Sequence, residues 1–589
     1  MDLRKGLSAG AGAVAVAAAA LVLLAPAAAA QPAGTPGSTT PRIDISAELP
    51  ERPEGYQLGP RDAIRIASDE EKVAETRERY GRLEASIEAS PPDAWQVGYF
   101  SGGRERAQVL VDDPTATVRE SWTGYQVAWQ MARGYEGSFG HKLNAPYVWL
   151  PLCAIFFLGL FEWRRPWRLV HLDLLVLLSF GISHVFFNRG EIGISVPLAY
   201  PALLYLLARM LWVGFRGPGE GLRPAAPIVW LAVAAAFLVG FRVALNVADS
   251  GVIDVGYSGV VGADRVVSGD PLYGEEAFPD DNPFGDTYGP LNYYAYVPFE
   301  QALPWSGSWD ELPAAHAAAI FFDLAVVALL FLVGRRLRPG REGRDLGVIL
   351  AFAWAAFPYT AYALQSNAND SLVAALVLGA LLLISSPLGR GAMTALAALT
   401  KFAPLALAPL FAAGPRAGLL SRDPETGEAP LGRRRLRAVA LFALALAGVG
   451  ALALLQTLLD PGLSTFWDRT VDQQVNRESP FSIWGQEEGL EPLRVGLMVI
   501  TAALAVLAGF LPRRRTVPQI AALAAAILIA LQLTAEHWFY LYIVWFLPLV
   551  AVALAYRAPQ RVREEARLPS PERREPFPSP VPGSMTHPG

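Results

Sequence analysis

Pro227-Ile228-Val229-Trp230-Leu231-Ala232-Val233-Ala234-Ala235-Ala236-Phe237-Leu238-Val239-Gly240-Phe241-Arg242-Val243-Ala244-Leu245-Asn246-Val247 is an unbroken apolar run with a single charge, Arg242. A helix needs about 20 residues to cross a bilayer core. Backbone groups in lipid must be bonded within their own segment, so the run reads as a membrane-spanning helix. The pattern recurs on both sides of it. Spans are expected at 146–163, 169–187, 193–215, 227–247, 313–334, 345–363, 370–386, 437–457, 492–511, 516–534 and 537–556, which makes about a dozen crossings. Composition agrees: 53% of residues are hydrophobic, 17% charged, and the mean hydropathy is +0.30, whereas soluble domains carry about 25% charge. The expected fold is an α-helical polytopic membrane protein with a small N-terminal extracytoplasmic α+β domain.

Before the first span the character changes. Arg4 and Lys5 precede an Ala/Val/Leu run from Val14 to Leu24, and Ala28-Ala29-Ala30 offers a small-residue cleavage site. Residues 1–30 therefore read as a signal peptide, with an uncleaved anchor helix as the alternative. Residues 31–44 are rich in Pro, Gly, Ser and Thr and read as a linker. Residues 45–143 have a soluble composition. Charged residues with scattered apolar ones from Arg61 to Ser90 suggest one or two helices. Trp95, Val97 and Tyr99 alternate as a strand does, Ser101-Gly102-Gly103 turns, Ala107, Val109 and Val111 alternate again, and a second turn at Asp112-Asp113-Pro114-Thr115 precedes a strand near Val118. This helix-then-sheet order resembles a PepSY-like domain, which implies binding or inhibition rather than catalysis. Residues 557–589, rich in Pro, Arg and Glu, read as a disordered cytoplasmic tail.

Lys/Arg bias orients the spans. Arg164, Arg165 and Arg168, Arg335 to Arg344, Arg433 to Arg437 and Arg513 to Arg515 mark cytoplasmic connections. The N-terminal domain and the loops 248–312 and 458–491 then lie outside. Residues 391–413 break this alternation if they cross once, because the Arg-rich stretch 414–437 would then be external. Two half-helices meeting near Lys401 and Pro404 restore it. A re-entrant hairpin with Lys401 near the outer face is therefore expected, and irregular backbone at membrane depth is tolerated only where it lines a cavity.

The outer loops carry the residues suited to chemistry. Val252-Ile253-Asp254-Val255-Gly256-Tyr257 begins the first, followed by Asp264, Asp270-Pro271-Leu272-Tyr273-Gly274, then Thr287-Tyr288-Gly289-Pro290-Leu291 with Tyr293, Tyr294 and Tyr296. Gln365-Ser366-Asn367-Ala368-Asn369-Asp370 opens a span, Lys401-Phe402-Ala403-Pro404 sits at the expected helix break, and Arg477-Glu478-Ser479-Pro480 lies in the second loop. In order and spacing this set resembles the GT-C superfamily of polyprenyl-phosphate-sugar-dependent glycosyltransferases, closest to the α-mannosyltransferase-like branch, glycosyltransferase family 87. The resemblance spans 225–556, leaving residues 144–224 as three additional transmembrane helices.

The resemblance implies transfer of a hexose, mannose foremost, from a polyprenyl-phosphate donor to a glycolipid or polysaccharide acceptor of the cell envelope. Inversion by one displacement needs a carboxylate to take the acceptor's proton, and Asp254 is assigned that role. The leaving lipid phosphate needs cations, for which Lys401, Arg477 and Arg242 are the candidates. Arg242 qualifies because an ionisable residue inside a span is a functional candidate by default. Asn367, Asp370, Tyr257 and Tyr288 complete the expected binding set. No metal or other cofactor is expected, since the donor has one phosphate and protein cations suffice. Plainer roles stand beside these: Asp254, Asn367 and Asp370 as helix caps, the tyrosines and His537 with Trp538 as interfacial aromatics, Lys401 and Arg242 as snorkelling cations, and His184 and His316 as packing residues.

Other classes fare worse. The single cysteine, Cys153, lies in an apolar block and excludes a disulfide framework or a cysteine metal site. The six histidines lack ligand spacing, and no phosphate-binding Gly-rich loop motif of ATP-driven pumps occurs. Topology accounts for the Arg blocks, so nucleic acid is not an expected partner. Two rival readings remain: a secondary transporter or flippase for a lipid-linked solute, and a non-catalytic membrane sensor or scaffold.

Overall fold

The computed structural model describes residues 43–45, 49–134, 140–217, 219, 221–416, 418–422, 427, 429–487 and 489–555. The signal-peptide and tail expectations, and most of the linker, lie outside the described residues. Six helices are long and apolar enough to cross a membrane: Leu169–Asn188, Ile192–Arg216, Ile228–Ala248, Pro313–Leu337, Arg433–Ala453 and Val517–Thr534. A seventh is added if Gly340–Ala356 and Pro358–Gln365, bent by 59° at Phe357, count as one. The remaining expected spans are helices too, but shorter: Pro146–Leu160, Asp370–Leu382, Glu491–Leu507 and Ile543–Ala555. The chain is thus a polytopic helical protein, with fewer full-length spans than the dozen that run length suggests.

Val517–Thr534 is the central helix. Its Ala- and Leu-rich faces are buried almost all round, as small residues allow in close helix packing. It packs against Ile192–Arg216 and Ile543–Ala555. At the periphery, Arg433–Ala453 and Ile228–Ala248 keep Leu444, Leu452, Trp230 and Phe237 exposed, the apolar surface expected of lipid-facing helices.

The segment expected to re-enter does break at Lys401. Pro387–Thr400 ends there, a short 3-10 turn Ala403–Leu407 follows, and Ala408–Ala413 returns. Arg390, in the first turn of the outgoing half, donates to the carbonyl of Ala412 at the end of the returning half at 3.3 Å. Both ends therefore sit at one level and Lys401 at the tip. The Arg-rich connections gather at that same level. Arg435 donates to the carbonyls of Gly418 and Leu419, and the backbone N–H of Arg515 to that of Arg416. Arg168 reaches Gly221, and Arg338 reaches Ala555.

The N-terminal domain has two helices, Pro60–Ser68 and Glu71–Tyr80, on a sheet of strands β1 (Ile43–Ile45), β2 (Leu83–Ser90), β3 (Ala94–Ser101), β4 (Arg104–Asp112) and β5 (Thr117–Thr123), in sequence order. β1 pairs parallel with β2; the rest form an antiparallel meander. The helical expectation for Arg61 to Ser90 is corrected at its end. Leu83, Ala85 and Ile87 are buried and alternate with exposed Glu84, Ser86 and Glu88, so period 2 prevails over the helix propensity of Leu, Glu and Ala. Trp95, Val97, Tyr99, Val109 and Val111 form the domain core.

Candidate active site

The tip at Lys401, the loop 248–312 and the loop 458–491 frame one cavity of about 1050 Å³. Among the expected site residues, Asp254, Tyr288, Asp370, Lys401 and Arg477 all line it. They come from five separated stretches of chain.

Asp254 is the first residue of the helix Asp254–Ser268. Its residue is exposed towards the cavity, and no side-chain hydrogen bond or ion pair holds its carboxylate among the described residues. A loop tether positions it: Asn282 donates to the Asp254 backbone carbonyl at 3.1 Å and to Ser258 Oγ at 2.9 Å. Its helix sits so close to the break at Ser366–Asn369 that a Cβ on Gly256 would lie 2.5 Å from the Asn367 carbonyl oxygen. Only glycine allows that approach.

Asn367 itself does not line the cavity. With a left-handed φ of +48° it donates to Ser250 Oγ at 3.0 Å and the Gly251 carbonyl at 2.9 Å, and accepts from Asn246 at 2.9 Å. Backbone bonds from Gly251 to Gln365 and from Ile253 to Ser366 complete the joint. Asn367 thus holds the segment that carries Asp254 and, as placed, does not contact a substrate in the cavity.

Lys401 and Asp370 meet at 2.7 Å. Asp370 is fully buried, and the same oxygen accepts from Trp545 Nε1 at 2.7 Å. The Lys401 ammonium lies over Tyr542 and Trp545 at 5.3 and 5.2 Å and near Tyr288 at 6.0 Å. An aromatic box with one carboxylate in its wall therefore fixes this cation while leaving it at the cavity surface. Arg477 is held differently. No ion pair engages it among the described residues, and its guanidinium lies over the Trp129 ring at 5.0 Å.

Arg242 is corrected. It is 1% exposed, and its guanidinium pairs with Asp323 at 2.9 Å and donates to Thr360 Oγ1 and the Trp354 carbonyl. Trp354 Nε1 also donates to Asp323 at 2.8 Å. The pair joins three helices inside the bundle, and neither residue lines the cavity. Tyr257 is also spent on packing: fully buried, it stacks on Trp309 at 4.6 Å. Asp264 and Asp270 lie off the cavity. His184 packs on Tyr540 at 4.7 Å, and His316 bonds Asn246 and Ser250.

Several residues in or behind the cavity wall carry no clear signal in the sequence. Trp129, whose neighbours Gln130 and Met131 line the wall, belongs to the N-terminal extension. Arg494 lines the cavity and pairs with Glu536 at 2.8 Å and Glu491 at 3.2 Å; an arginine just inside a span was the available hint. His537, read as an interfacial residue, stands in the loop after Val517–Thr534, lines the cavity and bonds Ser479 at 2.9 Å. Burial, then the charges of Arg477 and Lys401, push its pKa well below the usual histidine value. A bidentate pair of Arg469 with buried Asp286, at 2.6 and 2.9 Å, ties the loops 248–312 and 458–491 together. Among the described residues no three His, Cys, Asp or Glu side chains come together as metal ligands.

Residues 287–535 match the family model of glycosyltransferase family 87. The match covers less than half of the chain, lies within the stretch whose motifs resemble that family, and contains Tyr288, Asp370, Lys401 and Arg477. It begins after Asp254. No curated protein matches the chain. Fold and match together point to a membrane glycosyltransferase, which uses a sugar donor and an acceptor.

Proposed function

We propose that the chain transfers a hexose, with mannose the first to assay, from a polyprenyl-phosphate donor to a cell-envelope glycolipid or polysaccharide at the outer membrane face. One observation carries the reading: a carboxylate unpaired among the described residues, Asp254, shares a single cavity with the cations Lys401 and Arg477.

The chemistry is one displacement. The acceptor hydroxyl gives its proton to Asp254 as its oxygen attacks the anomeric carbon. The bond from that carbon to the phosphate oxygen breaks on the opposite side, and its electron pair leaves with the lipid monophosphate. Lys401 and Arg477 meet the charge that grows on the phosphate. Asp370 acts through Lys401 as a positioning residue, and Asn367 acts through the Asp254 segment. The apolar part of the lining, including Phe402, Leu405, Met498 and Leu541, suits a polyprenyl chain.

The test is sugar transfer in membranes from labelled polyprenyl-phosphate mannose, comparing the intact protein with Asp254→Asn. Loss of a general base lowers the rate about 10²- to 10⁴-fold while donor binding persists. Full activity in the variant would remove Asp254 from the mechanism. A flippase, the rival that fits the same cavity, would instead move the lipid-linked solute equally well in the intact protein and in the Asp254→Asn variant.

A further inference from the structure

The cavity is not built by the membrane helices alone. The strap of residues 125–134, which runs from β5 towards the first membrane helix, closes part of its wall with Gln130 and Met131. The strap is pinned at both ends. Arg133 donates to Gln108 in β4 at 2.7 Å, so the sheet domain holds one end. Gln126 donates to the Gly190 carbonyl at 3.3 Å, and Gly134 (φ +56°) presses on the Gly190 backbone where a Cβ would collide. Tyr125 donates to the carbonyls of Gly485 and Gln486, each at 3.2 Å. The strap therefore grips the second outer loop on the far side of Arg477, while Arg104 of the sheet domain reaches Glu478 beside it.

Between these anchors stands Trp129. Its ring lies under the Arg477 guanidinium at 5.0 Å, edge-on to Phe481 at 5.4 Å, and near the His537 ring at 5.7 Å. A guanidinium over an indole face is attracted by the ring quadrupole, more strongly where water is excluded. A guanidinium held by a ring face keeps its N–H donors available for an oxyanion. No carboxylate competes for Arg477 among the described residues, so the indole is the partner that orients this cation.

We infer that the N-terminal domain is a working part of the donor site: through Trp129 it positions Arg477 to bind the lipid monophosphate. The inference rests on the glycosyltransferase reading of the cavity and adds to it a role for a domain that lies outside the family match. Trp129 is a positioning residue, and the ligand it helps to bind is a phosphate monoester on an apolar chain.

The experiment is a double-mutant cycle on the full chain in detergent, reading the affinity for a short-chain isoprenyl monophosphate without sugar. The proteins are the intact chain, Trp129→Ala, Trp129→Phe, Arg477→Ala and Trp129→Ala with Arg477→Ala. Trp129→Ala should weaken binding about tenfold, the scale of a partly desolvated cation–π contact. Trp129→Phe should restore most of it, since the ring face remains. In the Arg477→Ala background the tryptophan change should cost nothing further, which a general loosening of the fold would not reproduce. If the intact chain binds the monophosphate, Arg477→Ala weakens that binding and Trp129→Ala does not alter it, the inference falls and the cavity reading stands. If the intact chain binds no monophosphate, both fall. An equal loss from Trp129→Ala in both backgrounds also overturns the inference, because the tryptophan would then act independently of Arg477.

Discussion

Removing the charge of Asp370 should disable Lys401 without touching it. In Asp370→Asn the side chain keeps its shape and can still accept from Trp545 Nε1, but the ammonium at 2.7 Å loses its counter-ion. The Lys401 side chain is 12% exposed and that of Asp370 is fully buried. Two unit charges attract by about 4 kcal/mol at 4 Å in an effective dielectric of 20. Leaving one member of such a buried pair alone costs about 3 to 5 kcal/mol, whereas replacing both by apolar groups is often close to neutral. Asp370→Asn and Lys401→Met should therefore each lower the unfolding temperature of the detergent-solubilised protein, and the double variant should recover much of that loss. Sugar transfer should behave oppositely. It should fall in both single variants and stay low in the double, because the cation that meets the leaving phosphate is gone. Thermal unfolding and transfer measured on the same four preparations separate the two effects. Additive stability losses in the double variant would refute the coupling. Normal transfer by Lys401→Met would refute the role of the ammonium.

Two further outcomes follow from where the structure spends its polar groups. Arg242→Met should destabilise the protein by about 3 to 5 kcal/mol, since it strands Asp323 inside the bundle, and Arg242→Met with Asp323→Leu should restore most of it. Donor affinity should not change in the double variant, and a selective loss of affinity would return Arg242 to the site. Asn367→Gly keeps the left-handed backbone but drops three hydrogen bonds, so the turnover number should fall about ten- to a hundredfold as Asp254 shifts, with the donor KM little changed. An unaltered turnover number would show that Asn367 does not place the base.

Much of the lining of the candidate site is legible in the sequence because its residues sit where lipid and charge rules forbid indifference. Lys401 stood out as a cation at the one place where topology demanded a break, and the structure places the break there. Asp254 stood out as a carboxylate just beyond a span. The misreadings have physical causes. Arg242 looked available because its partner, Asp323, lies on another helix whose rotation no run of apolar residues records. Asn367 looked like a ligand because a polar side chain at a helix break serves a joint and a pocket equally well. Trp129 gave no signal, since an aromatic residue between a strand and a span reads as packing until the chain is folded over Arg477.

The sequence by itself determined that this is a helical membrane protein, which stretches are apolar, where the chain turns back, and which residue types gather in the long loops between spans. Those follow from the cost of exposing backbone or charge to hydrocarbon, which acts locally along the chain. Only the tertiary structure decided which charges remain free for chemistry. Asp323 neutralises Arg242, Asp370 anchors Lys401, Trp129 carries Arg477, and nothing among the described residues engages the Asp254 carboxylate. Pairing depends on the rotation and register of helices distant in sequence, so it is settled when the bundle packs.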